Sequence, residues 1–359
     1  MPDKAKALVI LSPAFAADET DSALPSQEIL VHTFNRLYPS LQIVVLTFHY
    51  PVRQEKTYTW YGNTIITMGN DRKGKLHSLL RWQKVWQQLA QLHKTYELIG
   101  VFSFFCSECA FIGHYFARRH HLIHKIWVLG QDARAGNPQV RRIKPQAGEL
   151  VVISDFLQRE FERNHHIRPA YVIPIGLDTT LFPPASGSRD IDLLAAGSLI
   201  PLKQYDQFVA VTQQVATRYP GLSSVLLGNG PEAASLQQQI AEAGIAQRIR
   251  MPGKQTHADT LAYMQRSRIF LHTSAYEGLG MVCLEALYAG AQVISFCKPL
   301  DTPMDHWHIV SNKEEMAAKA LELLQGGLPG KPGTLPYAME DTAVKLMQLF
   351  RYEEPPVIR

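Results

Sequence analysis

Two carboxylates separated by seven residues, Glu277 and Glu285, frame the densest group of residues capable of chemistry in this chain. Gly278 and Gly280 lie between them, shortly after the apolar run Ile269–Leu271. That order reads as a strand, a loop and a helix near 280–289. Glycine lets a ligand approach the backbone closely. A helix start offers unbonded N–H groups and the positive end of its dipole to a phosphate. Glu277, in the loop, is placed to accept hydrogen bonds from sugar hydroxyls, and Glu285, a turn into the helix, from ribose hydroxyls. Taken singly, these residues also read as a solvated acid, a cap and two turn glycines; together they read as a ligand site.

Two further elements belong with it. In Ala196-Gly-Ser-Leu-Ile-Pro-Leu-Lys203, a strand ends at Gly197 and Lys203 stands near a helix start, where a lysine can pair with a diphosphate. Leu227-Gly-Asn-Gly-Pro231 is a strand, a glycine turn through Gly228 and Gly230, and a helix opened by proline. A lone Gly-x-Gly-Pro is a weak signal, and the acid about 20 residues on that completes a dinucleotide fingerprint is missing.

Positioning these groups requires a sheet. Strands are expected at Leu193–Ala196, Val225–Leu227, Arg250–Met251, Ile269–Leu271 and Val293–Ser295, with helices near 203–218, 231–243, 257–266 and 280–289. The first half carries the same alternation, with strands at Ala7–Leu11, Ile43–Thr47, Thr64–Thr67, Leu98–Phe102, Ile126–Leu129, Val151–Ser154 and Tyr171–Ile173. Continuous Val/Ile/Leu runs separated by helices indicate parallel sheets covered on both faces. Pro183–Ser188 reads as a linker. The expected domains are 1–182 and 189–335, each doubly wound, facing a central cleft, with a helical tail over 336–359 crossing back to the first domain. Lys75–Lys94 is the clearest helix, with Leu76, Leu79, Leu80, Val85, Trp86, Leu89 and Leu92 near one stripe.

The half from about 191 to 295 resembles the C-terminal domain of glycosyltransferase family 4, the retaining enzymes of GT-B fold. The family's donor lysine falls on Lys203, its Gly-x-Gly-Pro turn on Gly228–Pro231, its base-binding loop on Gly253-Lys254-Gln255, and its Glu-x7-Glu motif on Glu277 and Glu285. Val152–Asp155 and Val172–Asp178 resemble segments leading into the interdomain linker. The resemblance implies a nucleotide-sugar donor (UDP-, GDP- or ADP-linked) held by Gly197, Ser198, Lys203, Gly228, Gly230, Gly253–Gln255, Glu277, Gly278, Leu279, Gly280 and Glu285. It also implies transfer of a hexose-type sugar with retention to a glycan, lipid-linked or small-molecule acceptor, without cofactor or metal. Three departures stand out. Ser198 replaces an arginine of the first C-terminal loop. The stretch Ala16–Pro25 replaces a Gly-Gly turn. Leu129 stands where the family has its active-site histidine, leaving Gln131 and Asp132 as polar groups on the acceptor side, with Asp132 a catalytic candidate and a helix cap as the other reading. A non-catalytic binding relative and a nucleotide-sugar isomerase are the competing functions; the Glu-x7-Glu loop argues against the isomerase.

Charge and composition add partners. Residues 1–185 hold 21 Lys and Arg against 15 Asp and Glu, whereas residues 186–359 hold 15 against 17. An anionic surface would therefore meet the first half. Arg72, Lys73, Lys75, Arg81, Lys84 and Lys94 accompany Trp82 and Trp86, so a peripheral contact with the inner face of a membrane is one reading and a packed helix with a solvated basic face the other. The membrane reading requires an exposed Trp82. No apolar run reaches the ~18–20 residues of a membrane span, and Ala7–Leu11 reads as a buried strand rather than a secretory core. Cys106 and Cys109 read as buried thiols at a strand-to-helix turn, consistent with a reducing cytoplasm. His120, His121 and His124 read as an exposed basic helix end, not a metal site. Nothing in the chain suggests nucleic acid.

Overall fold

The computed structural model describes residues 4–359 apart from 22, 54–55, 70–73, 185–187, 327–332, 334, 353 and 358–359, and Lys75 by its backbone alone. Arg72, Lys73, the Lys75 side chain and the middle of the expected linker thus lie outside the described residues. The chain forms two units, Met1–Gly176 with Met339–Arg359, and Leu177–Ala338.

The first unit runs β1 (Lys6–Ala14), α1 (Pro25–Leu37), β2 (Gln42–Tyr50), β3 (Thr57–Trp60), β4 (Asn63–Thr67), α2 (Lys75–Thr95), β5 (Glu97–Phe104), α3 (Glu108–His120), β6 (His124–Val128), α4 (Pro138–Ile143), β7 (Leu150–Val152), α5 (Asp155–His165) and β8 (Tyr171–Val172). Its sheet has the order β3-β4-β2-β1-β5-β6-β7-β8, parallel except for the β3–β4 pair. β1 is central, and Ala7–Leu11 is buried on both faces, as a parallel strand between helix layers must be. Side-chain caps fix the helices after β5 and β7: Ser107 accepts from the Cys109 N–H and Ser154 from the Leu157 N–H. Cys106 and Cys109 are free and buried at the β5–α3 turn, and burial pushes both thiols up.

The second unit runs β9 (Ile191–Ala196), α6 (Tyr205–Ala216), β10 (Ser224–Leu227), α7 (Ala233–Glu242), β11 (Ile249–Gly253), α8 (His257–Arg266), β12 (Ser267–His272), α9 (Met281–Tyr288), β13 (Gln292–Ser295), β14 (Trp307–Ile309) and α10 (Lys313–Gln325). Its parallel sheet is ordered β11-β10-β9-β12-β13-β14. After it, α11 (Met339–Gln348) joins the first unit, where it packs on α1. There the Thr342 hydroxyl donates to the Pro174 carbonyl at 2.8 Å and accepts from the Gly176 N–H at 2.9 Å. Phe350 is buried against Phe102, 5.7 Å between ring centroids.

Two expectations about the first unit are corrected. The stripe on α2 is apolar and buried only from Val85 onward; Leu76, Leu79 and Leu80 are 67%, 58% and 48% exposed. Arg81 takes their place in the interior, facing Glu108. Trp82 is half-buried rather than exposed, stacked near Phe111 with its Nε1–H donating to Glu108. His124 is not part of an exposed helix end. It opens β6, is buried, and with His114 bonds one oxygen of Glu149, at 3.1 and 2.9 Å. These three could also surround an ion, but both Nδ1 atoms are occupied by that shared oxygen. Burial lowers the His124 pKa, while the two histidine bonds outweigh burial and hold the Glu149 carboxyl far below the usual range.

Candidate active site at the strand ends of the second unit

β9, β10 and β11 end side by side, and the loops that follow are laced together. The Gly197 N–H donates to the Leu227 carbonyl, the Leu199 N–H to Asn229, and the Gly228 N–H to Gly253, all at 3.0–3.1 Å. Gly228 has φ +139°, and a β-carbon there would lie 1.9 Å from the Gly197 carbonyl oxygen. Here glycine is required by both backbone angle and contact. Gly230 serves the same packing, its Cα directed at the Leu199 backbone, where a β-carbon would come within 2.4 Å.

The result is a cavity of 430 Å³. Gly197, Ser198 and Lys203 line it from the first loop, Gly228 and Asn229 from the second, Lys254 and Gln255 from the third. Thr260 of α8 and Val282 of α9 close it. Ligands of doubly wound sheets bind at such strand ends.

Lys203 closes a 3₁₀ turn after Pro201, and its Nζ donates to Glu277 Oε2 at 2.6 Å. The Thr273 hydroxyl donates to the Lys203 carbonyl and the Ala275 N–H to that of Leu202, tying this loop to the one that carries Glu277. His272, buried at the end of β12, points Nε2 at the same Glu277 oxygen, 3.5 Å away. Burial would raise the Glu277 pKa, but His272 and Lys203 outweigh it and hold the carboxyl at about 2. Glu277 is therefore an anion throughout the neutral range, able to accept but not donate.

Gly280 caps α9 in the left-handed region, φ 76°, and so starts the helix where the glycine pattern places it. Leu279 is buried and is not among the residues that line the cavity. Glu285, on α9, pairs with His257 Nε2 at 2.8 Å. His257 opens α8 directly after Thr256, whose hydroxyl accepts from the Asp259 N–H.

His257 and His272 were not singled out by sequence. The signal for His257 was its place one residue after a capping threonine; its partner is 28 positions away, and only the packing of α8 on α9 joins them. The bond to Glu285 raises the His257 pKa above the usual 6.5, against burial. A raised folded-state pKa gives stability that is complete below the unfolded value and is lost as pH rises through the folded one. The melting temperature of wild type should therefore exceed that of His257→Gln most at pH 6, with the gap closing by about pH 9. A gap constant over that range would exclude a charged pair.

In the first unit, Gln131 and Asp132 follow β6 in a short 3₁₀ turn. Asp132 Oδ1 accepts from the N–H groups of Leu129 and Gly130, at 3.1 and 2.8 Å, and Oδ2 from Cys106 at 2.9 Å. Burial keeps its pKa above the usual value despite these bonds. With its oxygens accepting from three amides, Asp132 organises the turns after β5 and β6. Gln131 is exposed beside it.

Comparison with known proteins places residues 179–300 within a match to the family described as glycosyl transferases group 1. The chain is 30% identical over 141 residues to the GtfA component of the UDP-N-acetylglucosamine–peptide N-acetylglucosaminyltransferase of Streptococcus gordonii, covering 39% of this chain and 27% of that one. It is 29% identical over 126 residues to one component of the human phosphatidylinositol N-acetylglucosaminyltransferase, covering 34% and 26%. The matched stretch thus spans about a quarter of each relative's length. Over the whole chain the fold is that of the sucrose-phosphate synthase of Thermosynechococcus elongatus, with TM-score 0.67 at 16% identity, covering 96% and 98%. Anabaena HepE in complex with UDP-glucose gives TM-score 0.64 at 15% identity, covering 96% and 97%. This is the GT-B architecture of two parallel-sheet α/β domains.

Proposed function

We propose that the protein is a nucleotide-sugar-dependent glycosyltransferase of family 4 type that transfers a hexose-type sugar with retention of configuration. The observation that carries this reading is the Lys203–Glu277 ion pair at the glycine-walled cavity, inside the segment that matches group 1 glycosyl transferases. The diphosphate takes Lys203 and the N–H groups at the start of α9, where negative charge develops as it leaves. Lys203 then exchanges its bond to Glu277 for one to the phosphates, and Glu277 turns to the sugar hydroxyls. Glu285 receives the ribose, and Gly253-Lys254-Gln255 the base. The names of the sequence relatives make a UDP-linked N-acetylhexosamine the first donor to test. The acceptor, a glycan or lipid-linked glycan, meets the first unit.

The test is turnover of UDP-, GDP- and ADP-sugars with a panel of acceptors, with and without EDTA. Transfer from one donor, undiminished by EDTA, is expected, because Lys203 and the helix dipole supply the charge a metal otherwise would. Binding without turnover would instead favour the non-catalytic reading, and activity abolished by EDTA and restored by manganese would overturn the metal-free mechanism.

Among the described residues no helix is long and apolar enough to cross a membrane. Peripheral contact at the inner face of a membrane is proposed on different residues from Trp82. Leu76, Leu79 and Leu80 are exposed on a helix with no acidic residue, beside exposed Lys84. Flotation with anionic vesicles should be strong at low salt and lost in Leu79→Ser/Leu80→Ser; equal flotation of that variant and wild type would remove these leucines from the contact.

A further inference from the structure

His272 is buried yet keeps one ring nitrogen open, and the geometry fixes what that nitrogen faces. The residue ends β12, is 5% exposed, and pairs in register with Ser295 of the parallel strand β13. Side chains paired in register stand on the same face of a sheet, and His272 Nδ1 lies 3.0 Å from Ser295 Oγ. The serine is itself fixed: its hydroxyl donates to the Cys297 carbonyl at 3.1 Å and accepts from the Cys297 N–H at 3.0 Å. The ring is thereby aimed. Its Nε2 has no hydrogen-bond partner among the described residues and lies 3.5 Å from Glu277 Oε2. Buried polar groups are ordinarily hydrogen-bonded.

An ionised carboxylate only accepts. A bare Nε2 would set lone pair against lone pair, so Nε2 carries a hydrogen. The oxygen it faces is already taken, because Lys203 Nζ donates to the same Oε2 at 2.6 Å. The histidine thus stands as a second donor to one oxygen, just beyond good hydrogen-bond length. Tyr205, Cys283 and Cys297 also lie beside Glu277, and burial pushes all three up, so they stay neutral near pH 7.

The reserve donor matters when the lysine leaves. Once a diphosphate takes Lys203, Oε2 loses its partner on a side chain only 24% exposed. A partly buried carboxylate without a counter-group is costly and is driven towards protonation. Closing the gap to Nε2 from 3.5 Å to the ~2.9 Å of an N–H···O bond takes a small rotation of the glutamate. Both donors address Oε2, so Oε1 is the oxygen that can turn to the sugar.

We propose that His272 is a positioning residue: as Lys203 passes to the diphosphate, His272 Nε2–H closes on Glu277 Oε2 and keeps the carboxylate an aimed anion. The departure of Lys203 rests on the transferase reading above; the exchange of donors at Oε2 does not. Proton NMR of the ring N–H groups at pH 7, on the full chain, tests the exchange, with the His272 signal assigned by its loss in His272→Gln. In Lys203→Ala the Nε2–H resonance should move downfield, and in Glu277→Gln it should move upfield or vanish by exchange. An unprotonated Nε2 in wild type, or a resonance unmoved in Lys203→Ala, would overturn the proposal.

Single-turnover transfer from UDP-N-acetylglucosamine, beside calorimetry with UDP alone, reads the consequence. His272→Leu should lose about tenfold or more in rate with UDP affinity unchanged. His272→Gln, whose amide can place an N–H where Nε2 was, should recover most of that rate. Equal losses in the two variants would reduce His272 to a packing residue and defeat the proposal. If His272→Leu does not fold, the Lys203→Ala spectrum decides alone. Wild type that neither binds UDP nor transfers sugar counts against the donor reading, while the spectra still decide the exchange.

Discussion

Lys203→Ala is expected to lower the rate of sugar transfer by about 10²–10³-fold at saturating donor, with the fold intact. The lysine stands on a short turn rather than in the core, its side chain 22% exposed, so its loss leaves the sheet and both helix layers unchanged. On the proposed mechanism it removes the cation that faces the departing diphosphate. Removing one preorganised donor to developing charge costs on the order of 2.7–4 kcal/mol in other enzymes. The effect should be at the upper end here, because Ser198 stands where the family resemblance places a second cation. Glu277→Ala should lose a comparable amount by a different route, leaving Lys203 without its partner and the sugar without its acceptor of hydrogen bonds. Lys203→Arg should not restore wild-type rates, since a planar guanidinium cannot occupy the position of a compact ammonium. Near-normal single-turnover rates in Lys203→Ala and Glu277→Ala, with unchanged melting temperatures, would end the assignment of this pair to the chemistry.

Gly228→Ala should be the most damaging single methyl group in the second unit. At φ +139° the backbone is in a region that L side chains rarely adopt, and the new carbon would lie 1.9 Å from the Gly197 carbonyl oxygen. That oxygen is backbone, so it can retreat only if the β9 loop moves. Strain of this kind together with overpacking costs about 3 kcal/mol or more. The same movement would part Gly197 and Ser198 from Lys254, opening the cavity. A lowered denaturant midpoint and loss of stabilisation by UDP should appear together. Gly221→Ala is the control: its φ is ordinary and nothing lies within 4 Å of the added carbon. Equal midpoints for the two variants would show that the loops do not need this contact.

Much of the second unit was legible before any coordinates. Strand, glycine turn and helix follow one another in short sequence order, and Gly197, Gly228, Lys203, Glu277 and Glu285 each announce a local geometry. What stayed hidden depends on contacts across the sheet. His257 meets Glu285 through helix packing, and His272 meets Glu277 across a loop. In the first unit the failure was one of period. Leu76, Leu79 and Leu80 match a helical stripe, but the acid that draws Arg81 inward is Glu108, 27 positions away on another helix. β3 escaped because Thr57–Trp60 is four residues long and pairs antiparallel on an edge. β14 escaped for the same reason of length, three residues at one edge of its sheet, and α10 escaped with it.

The return of α11 to the first unit orders events on the ribosome. Phe350 sits over Gly100, so close that a β-carbon on that glycine would come within 2.5 Å of its ring, and Thr342 closes the turn at Gly176. The first unit's core thus lacks a wall until the nascent chain has been extended past the whole of the second. Residues 177–338 can reach their native contacts while Phe102, packed on Phe104 and Trp127, still lacks its contact with Phe350. The half translated first is the half completed last.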